Sequence, residues 1–275
     1  MFDNFEIWWV TGAQLLYGGD AVVAVDGHSK EMVEGLNKSG NIPVKIVYKG
    51  TANSSNEVEA VMKAANNDSK CIGIITWMHT FSPAKMWIKG LQALEKPLLH
   101  FHTQYNTDIP WDTIDMDFMN LNQSAHGDIE FGHICTRMRV ARKVVVGHWK
   151  SVEAQKQIAV WARAAAGRAD AHNVRCLMFG MNMNNVAVTD GDRVEFEQRM
   201  GYHVDYYPVS SLMDYFKKVT DAEADALVEE YKKLYTIKID ESGEKVYWEK
   251  VKNAAKAEIA LRRVLKDENA TAFTT

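Results

Sequence analysis

The chain has 275 residues, of which 47% are hydrophobic, and its formal net charge is −4. This length allows one large domain or two smaller ones, and the apolar fraction is sufficient for a packed core, so intrinsic disorder is not expected. Acidic and basic residues are spread along the whole chain, which argues against a nucleic-acid protein that works through a broad basic face.

The three cysteines, Cys71, Cys135 and Cys176, lie far apart in the sequence. Because no Cys-x-x-Cys pair exists, neither a zinc ribbon nor a redox dithiol is indicated, and free buried thiols are predicted, as in a reducing compartment. The first residues lack a basic segment followed by an apolar run, and no apolar run reaches 18 residues. We therefore expect a cytoplasmic protein without a signal peptide or a membrane span.

Strand-like and helix-like segments alternate in the first 170 residues. Strands are predicted at 7–10, 44–48, 71–77, 98–101 and 144–146. Helices are predicted at 20–38, 57–65, 83–94, 126–138 and 152–166. This alternation predicts an α/β domain at residues 1–170, with helices on both faces of a doubly wound, Rossmann-like parallel sheet.

Residues 171–275 are predicted to form a second α/β domain that is incomplete. Strands are expected at 174–179 and 203–209, and helices at 193–200, 212–219, 222–235 and 247–265. After Asn269 the sequence becomes apolar and threonine-rich before it stops. We expect a domain truncated there to expose an unpaired strand edge and apolar surface.

Unusual loops follow the first, third and fourth predicted strands. The segments 77–87, 102–106 and 114–123 are rich in His, Gln, Asn and aromatic residues, whereas ordinary solvated loops carry Gly, Ser, Lys and Glu. Large amides, imidazoles and aromatic rings indicate a surface that holds a polar ligand. Parallel α/β sheets bind ligands at the carboxyl ends of their strands, which is where these loops are predicted to lie.

The loop between Gly12 and Gly19 invites comparison with phosphate-binding loops. It contains neither Gly-x-Gly-x-x-Gly nor Gly-Lys-Ser/Thr, and bulky residues occupy the positions where backbone would approach a phosphate. Nucleotide binding is therefore not expected. Two interpretations stay open on local grounds: a plain turn, and a turn that presents Gln14 to a polyol.

Several polar pairs suggest metal binding, and each has a simpler interpretation. His100 and His102 share one face of a strand and could bind one ion, but no carboxylate is adjacent in sequence, and such pairs more often pack and form hydrogen bonds. The carboxylate pairs at 115/117 and 190/192 are better interpreted as helix caps and turn residues. No Ser/His/Asp or Cys/His set stands out as a nucleophilic site.

Four longer segments resemble the amino-terminal portion of bacterial L-arabinose isomerase: 8–18, 79–88, 114–123 and 186–192. The resemblance covers nearly the whole chain, although members of that family are much longer. They usually carry Gln-His-Leu-Tyr-Gly where this chain has Gln14-Leu15-Leu16-Tyr17-Gly18, so the role of that histidine is not carried over.

The resemblance implies an aldose–ketose isomerase that converts L-arabinose to L-ribulose in arabinose catabolism, with D-galactose as a possible second substrate. In the family, two glutamates move the proton through an enediol and bind manganese(II) together with two histidines, within homohexamers whose active sites lie between subunits. None of these four residues has a match in this chain. We therefore expect no catalytic residue and no metal ligand here, and an inactive isolated chain that needs a missing carboxy-terminal fragment or further copies of itself.

Six positions correspond by resemblance to substrate contacts: Gln14, Phe81, Gln123, His126, Met183 and Phe273. Their local interpretations are plainer, because His126 could cap a helix, Phe81 and Met183 could fill the core, and Phe273 could belong to a frayed end. Two other functions therefore remain as alternatives, a non-catalytic sugar-binding module and an oligomer-forming subunit.

Overall fold

A computed structural model of the chain describes residues 2–239 and 244–275. The chain divides into two compact units, Met1–Ala169 and Asp170–Thr275, and each unit contains its own parallel sheet and apolar core. No helix within the described ranges combines the length and the apolarity that crossing a bilayer requires.

The first unit is built on a parallel sheet with the strand order β2-β1-β3-β4-β5. Its strands are β1 Glu6–Gly12, β2 Lys45–Ala52, β3 Cys71–Met78, β4 Leu98–His102 and β5 Lys143–Val146. Its helices are α1 Gly19–Lys38, α2 Ser55–Asn67, α3 Ile88–Ala93, α4 Met116–Leu121, α5 Ser124–Arg137 and α6 Val152–Ala171.

Alternate residues of the central strands enter two separate cores. Ile7 and Trp9 of β1 pack with α1 and α6, whereas Trp8 and Val10 pack with α2, α3 and α5. Every residue of β3 is buried, as expected for a strand covered on both faces. The predicted doubly wound α/β fold is confirmed.

One local prediction in the first unit is wrong, and a second needs a correction only in its first turn. The segment 114–123, predicted as a loop, contains α4, because Asp115 caps that helix by accepting a hydrogen bond from Phe118 N at 2.8 Å. The predicted helix 83–94 begins as a 3-10 turn at Ala84–Trp87, in which Met86 N donates to Pro83 O at 3.3 Å. Tight turns of this kind are common where a helix begins.

The second unit has a parallel sheet with the order β7-β6-β8, formed by β6 Arg175–Phe179, β7 His203–Tyr207 and β8 Ala272–Thr274. Its helices are α7 Arg193–Met200, α8 Val209–Phe216, α9 Asp221–Leu234 and α10 Glu244–Asp267. The strand predicted to reach Val209 ends earlier, since Pro208 cannot donate to a sheet and precedes α8. Asp192 caps α7 through bonds from Val194 N and Glu195 N, which confirms the capping interpretation.

Candidate functional site

The carboxyl ends of β1 and β3 lie side by side in the first unit, and the chain changes its direction of winding between them. From β1 the chain crosses to β2 on one side, and then returns past β1 to β3 on the other. In open α/β sheets such a switch point leaves a crevice between the two following loops, where ligands bind. The loops after β1 and β3 are those that carry Gln14 and Phe81.

Gln14 is anchored to the loop after β3 by its backbone and by its side chain. Its N–H donates to Thr80 Oγ1 at 3.0 Å, and its Nε2 donates to the carbonyl oxygen of Ser82. Gly12 makes this close approach possible, because a Cβ there would lie only 2.6 Å from Met78 Sδ. A larger residue at this position would require the buried side chains of Met78 and Trp87 to shift.

Phe81 and His126 lie in contact. Their ring centroids are 4.2 Å apart with an interplanar angle of 41°, and His126 Nε2 lies 3.6 Å from Glu130 Oε1 on the next turn of α5. His126 occupies the first turn of α5 and is 46% exposed. An aromatic face and an accessible imidazole are thus presented together at this edge.

Gln123 immediately precedes α5 and is tied to the same loop. Its N–H donates to His79 O at 3.1 Å, and its side-chain Nε2 donates to Asn120 Oδ1 at 3.4 Å. Four of the six predicted substrate contacts therefore belong to, or touch, residues His79–Ser82, named here the 79–82 segment. Ser82 in this segment has a φ of 32°, a left-handed conformation that non-glycine residues rarely adopt.

The two remaining predicted contacts lie in the second unit and are not brought together by any described interaction. Met183 follows the carboxyl end of β6, is 63% exposed, and accepts a backbone hydrogen bond from Val186 N at 3.3 Å. Phe273 lies within β8 opposite Leu177 and is 47% exposed. It lines a hollow of about 490 Å³ beside α10.

Sequence reasoning missed two histidines that lie next to this edge. His79 is fully buried, stacks on Trp77 with a centroid distance of 4.2 Å, and its Nε2 lies 3.0 Å from His28 Nδ1. Burial lowers the pKa of His79 to about 3 and also lowers the pKa of His28. The sequence signal for His79 was its position directly after a largely apolar strand, whereas His28 lies in a helix without any distinguishing pattern.

A second buried polar group holds α5 against the sheet. Asp128 Oδ1 accepts a hydrogen bond from Met78 N at 3.3 Å and lies within hydrogen-bond distance of His100 Nε2, at 2.8 Å. Burial raises the pKa of Asp128 and lowers that of His100 to about 3, so both groups favour their neutral forms. The predicted packing and hydrogen-bonding role of His100 is confirmed, and its partner is distant in sequence.

A separate hollow in the first unit lies at the carboxyl ends of β4 and β5. Its volume is about 550 Å³, and His102, Gln104, Asn106 and Phe118 are among its lining residues. None of the six predicted contacts lines it. Gln14 instead lines a hollow of about 450 Å³ together with Ser82 and Pro83.

A manganese site of the kind implied by the resemblance does not fit the described residues. Within 2–239 and 244–275, no group of three or more His, Cys, Asp or Glu side chains is arranged to hold a metal ion. In the buried set around Asp128, His102 Nε2 lies 3.9 Å from Asp128 Oδ2, while the other carboxylate oxygen lies 2.8 Å from His100 Nε2. We therefore derive no chemical step through a metal for these residues.

Comparison with known sequences decides the family. The L-arabinose isomerase N-terminal domain matches residues 1–173, and the L-arabinose isomerase central domain matches residues 175–275. The chain belongs to the L-arabinose isomerase family. The matched regions together cover nearly the whole sequence, in agreement with the resemblance noted in its motifs.

Named members of this family are close in sequence and longer. Proteins named L-arabinose isomerase from Phocaeicola vulgatus and Bacteroides thetaiotaomicron are each 67% identical over 100% of this chain and 54% of their own length. One from Clostridium beijerinckii is 50% identical over 99% of this chain and 54% of its own length. The chain thus spans about half the length of the curated relatives that it matches.

Proposed function

We propose that the chain forms part of an aldose–ketose isomerase that converts L-arabinose to L-ribulose, and that its role in that enzyme is to bind and orient the sugar. The observation that supports this proposal is the convergence of Gln14, Phe81, Gln123 and His126 on the 79–82 segment at the switch point of the first sheet. Family membership supports the proposed reaction, and the convergence of these four residues supports this edge as the part of the chain that would contact the substrate.

Each group at this edge suits a feature of an aldopentose. Since Gln14 Nε2 already donates to Ser82 O, its Oε1 remains to accept from a sugar hydroxyl. The Phe81 ring offers a wall for the C–H face of the sugar. The half-exposed imidazole of His126 can donate to, or accept from, a hydroxyl at neutral pH. These contacts bind and orient the sugar, and none of them abstracts its C2 proton.

We infer that the acid–base glutamates and the ligands of manganese(II) lie outside these 275 residues. In the complete enzyme the metal would polarise the oxygens on C1 and C2. Met183 and Phe273 are proposed to contact the substrate from the second unit. Assembly into a homohexamer and a cytoplasmic location, in keeping with the three free cysteines, belong to the same proposal, as does possible use of D-galactose.

The first experiment assays the purified chain with L-arabinose and manganese(II), with and without the carboxy-terminal half of the Bacteroides thetaiotaomicron relative. We expect no ketose from the chain alone and ketose formation by the mixture. Phe81→Leu and Gln14→Leu should raise the KM of the mixture, whereas the exposed control His133→Phe on α5 should leave it unchanged. Ketose formation by the pure chain, or unaltered kinetics in both variants, would contradict the proposal. Binding of L-arabitol without turnover in any mixture would instead indicate a non-catalytic sugar-binding module.

A further inference from the structure

The two imidazoles of His28 and His79 face each other through a single pair of nitrogens. His28 Nδ1 and His79 Nε2 are 3.0 Å apart. A hydrogen bond between two ring nitrogens needs one N–H and one lone pair, so the facing nitrogens share one proton. Protonating both rings would place two N–H groups against each other and break the contact.

Each of the two imidazole rings also contacts a further residue, and these contacts fix the orientation of the pair. On the inner side, His79 Nδ1 lies 3.5 Å from Ser124 Oγ, in the first residue of α5. On the outer side, the His28 ring stacks on Tyr105 with centroids 3.7 Å apart, and Tyr105 OH donates to Glu31 at 2.5 Å. A continuous series of contacts therefore runs from α1 to the start of α5.

The backbone of His79 joins the loops that carry the proposed sugar contacts. Its N–H donates to Gly12 O at 3.3 Å, just before Gln14, and its carbonyl accepts from Gln123 N at 3.1 Å. Because His79 is fully buried, its ring cannot turn to water when a partner is lost. A change in its orientation must then be accommodated by the 79–82 segment or by the start of α5.

We propose that His28 and His79 are positioning residues, whose shared proton fixes the 79–82 segment and the first turn of α5 in the arrangement that receives the sugar. The reference to sugar rests on the function proposed above, while the fixing of the backbone stands on the contacts alone. Neither ring is placed against substrate. The charged and titratable groups that face the pair are Glu31 on α1, through its charge, and Tyr105 after β4.

The test compares two substitutions at the half-buried member of the pair. His28→Phe keeps a ring against Tyr105 and removes the hydrogen bond, whereas His28→Gln keeps a side chain that can donate or accept. His133→Phe makes the same chemical change on an exposed face of α5. Amide hydrogen exchange of the whole chain is measured at Gln123 and Gly127, which flank the first turn of α5, and at Ile75 in the centre of the sheet.

We expect His28→Phe to reduce protection at Gln123 and Gly127 about tenfold, the effect of losing one net hydrogen bond, while protection at Ile75 is unchanged. His28→Gln should restore most of that protection, and His133→Phe should alter none of it. In the unsubstituted chain, the protection of the Gln123 amide, corrected for intrinsic exchange, should fall as the pH drops below the pKa of an unperturbed histidine. His28→Phe should lack this pH dependence.

Unchanged protection at Gln123 in His28→Phe, or an equal loss at Ile75, would overturn the inference, the second because it would show a general loss of stability. Titration with L-arabitol tests separately whether the pair positions these loops for sugar binding. Binding that persists with equal affinity in His28→Phe, despite lost protection, would overturn positioning for sugar. Absence of binding in the unsubstituted chain counts against the proposed function, while the exchange result still decides whether the pair fixes the backbone.

Discussion

A set of hydrogen-bonded polar side chains is buried in the first unit, whereas a comparable set in the second unit is partly solvated. His79, His100 and Asp128 are 0%, 3% and 1% exposed and make direct hydrogen bonds beneath the carboxyl edge of the sheet. In the second unit, Arg175, Asp205 and His203 also form a connected set, but their side chains are 33%, 28% and 54% exposed. A buried donor or acceptor that loses its hydrogen-bond partner remains unsatisfied, which costs free energy, whereas a solvated group bonds to water instead. Burial, rather than the number of polar contacts, therefore makes the loss of a hydrogen bond costly at the first edge.

The largest expected effect of a single substitution is at Asp128. Asp128→Ala leaves His100 Nε2 and Met78 N buried without their hydrogen-bond partner. Because two buried polar groups are then unsatisfied, we expect it to lower the free energy of unfolding of the first unit by about 3 kcal/mol. Urea unfolding followed by probes within each unit measures this. Asp128→Asn should cost less because it keeps the acceptor oxygen. Asp205→Ala in the second unit is the matched control, and an equal loss there would break the comparison.

Gly127→Ala tests the close packing of α5 on the same edge. A Cβ at Gly127 would lie 2.6 Å from Thr80 O, and such overpacking costs about 1 to 3 kcal/mol. The gain in helix propensity from Gly to Ala offsets about 1 kcal/mol of that cost. At Gly191 in the second unit a Cβ would meet nothing within 4 Å, and Gly191→Ala should be close to neutral. The melting temperatures of the two variants test this expectation. An unchanged melting temperature for Gly127→Ala would show that the 79–82 segment can shift to accommodate the added Cβ.

The two units should respond to pH in opposite directions. Burial lowers the pKa of His79 from 6.5 to about 3, so its unfolded state takes up a proton first. The stability it supports is present above pH 6.5 and is lost as the pH falls below that value, by about 1.4 kcal/mol per pH unit. Hydrogen exchange at Ile75 between pH 7.5 and 5.5 reports this loss.

The second unit contains the opposite case. Hydrogen bonding to Glu197, together with the charge of Asp205, raises the pKa of His203, so its contribution is present below pH 6.5 and is lost as the pH rises through the folded pKa. Exchange at Leu177 should therefore show a small change of opposite sign. Burial raises the pKa of Asp128. Its contribution to the stability of the first unit is therefore present below pH 3.8 and is lost as the pH rises through the raised pKa, which is opposite to the effect of His79. His79→Gln isolates the histidine, and an unaltered slope in that variant would contradict its assignment.

Much of the fold could be predicted from local pattern, because the central strands β1, β3 and β4 are largely apolar and the strands of the first unit alternate with helices. The failures have physical causes. The helix α4 is only six residues long, and its signal is a single capping aspartate among residues that suit a loop. The strand β8 spans three residues, and its pairing with β6 depends on a contact far away in sequence.

Residues of the candidate site could be predicted from the sequence only where they lie in segments that resemble the family. The positions of Gln14, Phe81, Gln123 and His126 followed from family resemblance, and their convergence on one segment followed from the strand order. The pairing of His28 with His79 could not be predicted, since 51 residues separate them and neither has a motif. The bond between Asp128 and His100 could not be predicted for the same reason, because 28 residues separate the two side chains in sequence.

The stacking of Trp77 on His79 gives the first unit an optical signal of its own. The indole and imidazole centroids are 4.2 Å apart, and the rings are nearly parallel, so a change in the charge of the imidazole acts directly on the excited state of the indole. A protonated imidazole quenches indole emission, whereas a neutral one quenches it much less. The difference in fluorescence between the chain and its Trp77→Phe variant can therefore report, without any added label, the moment at which the buried histidine acquires a proton.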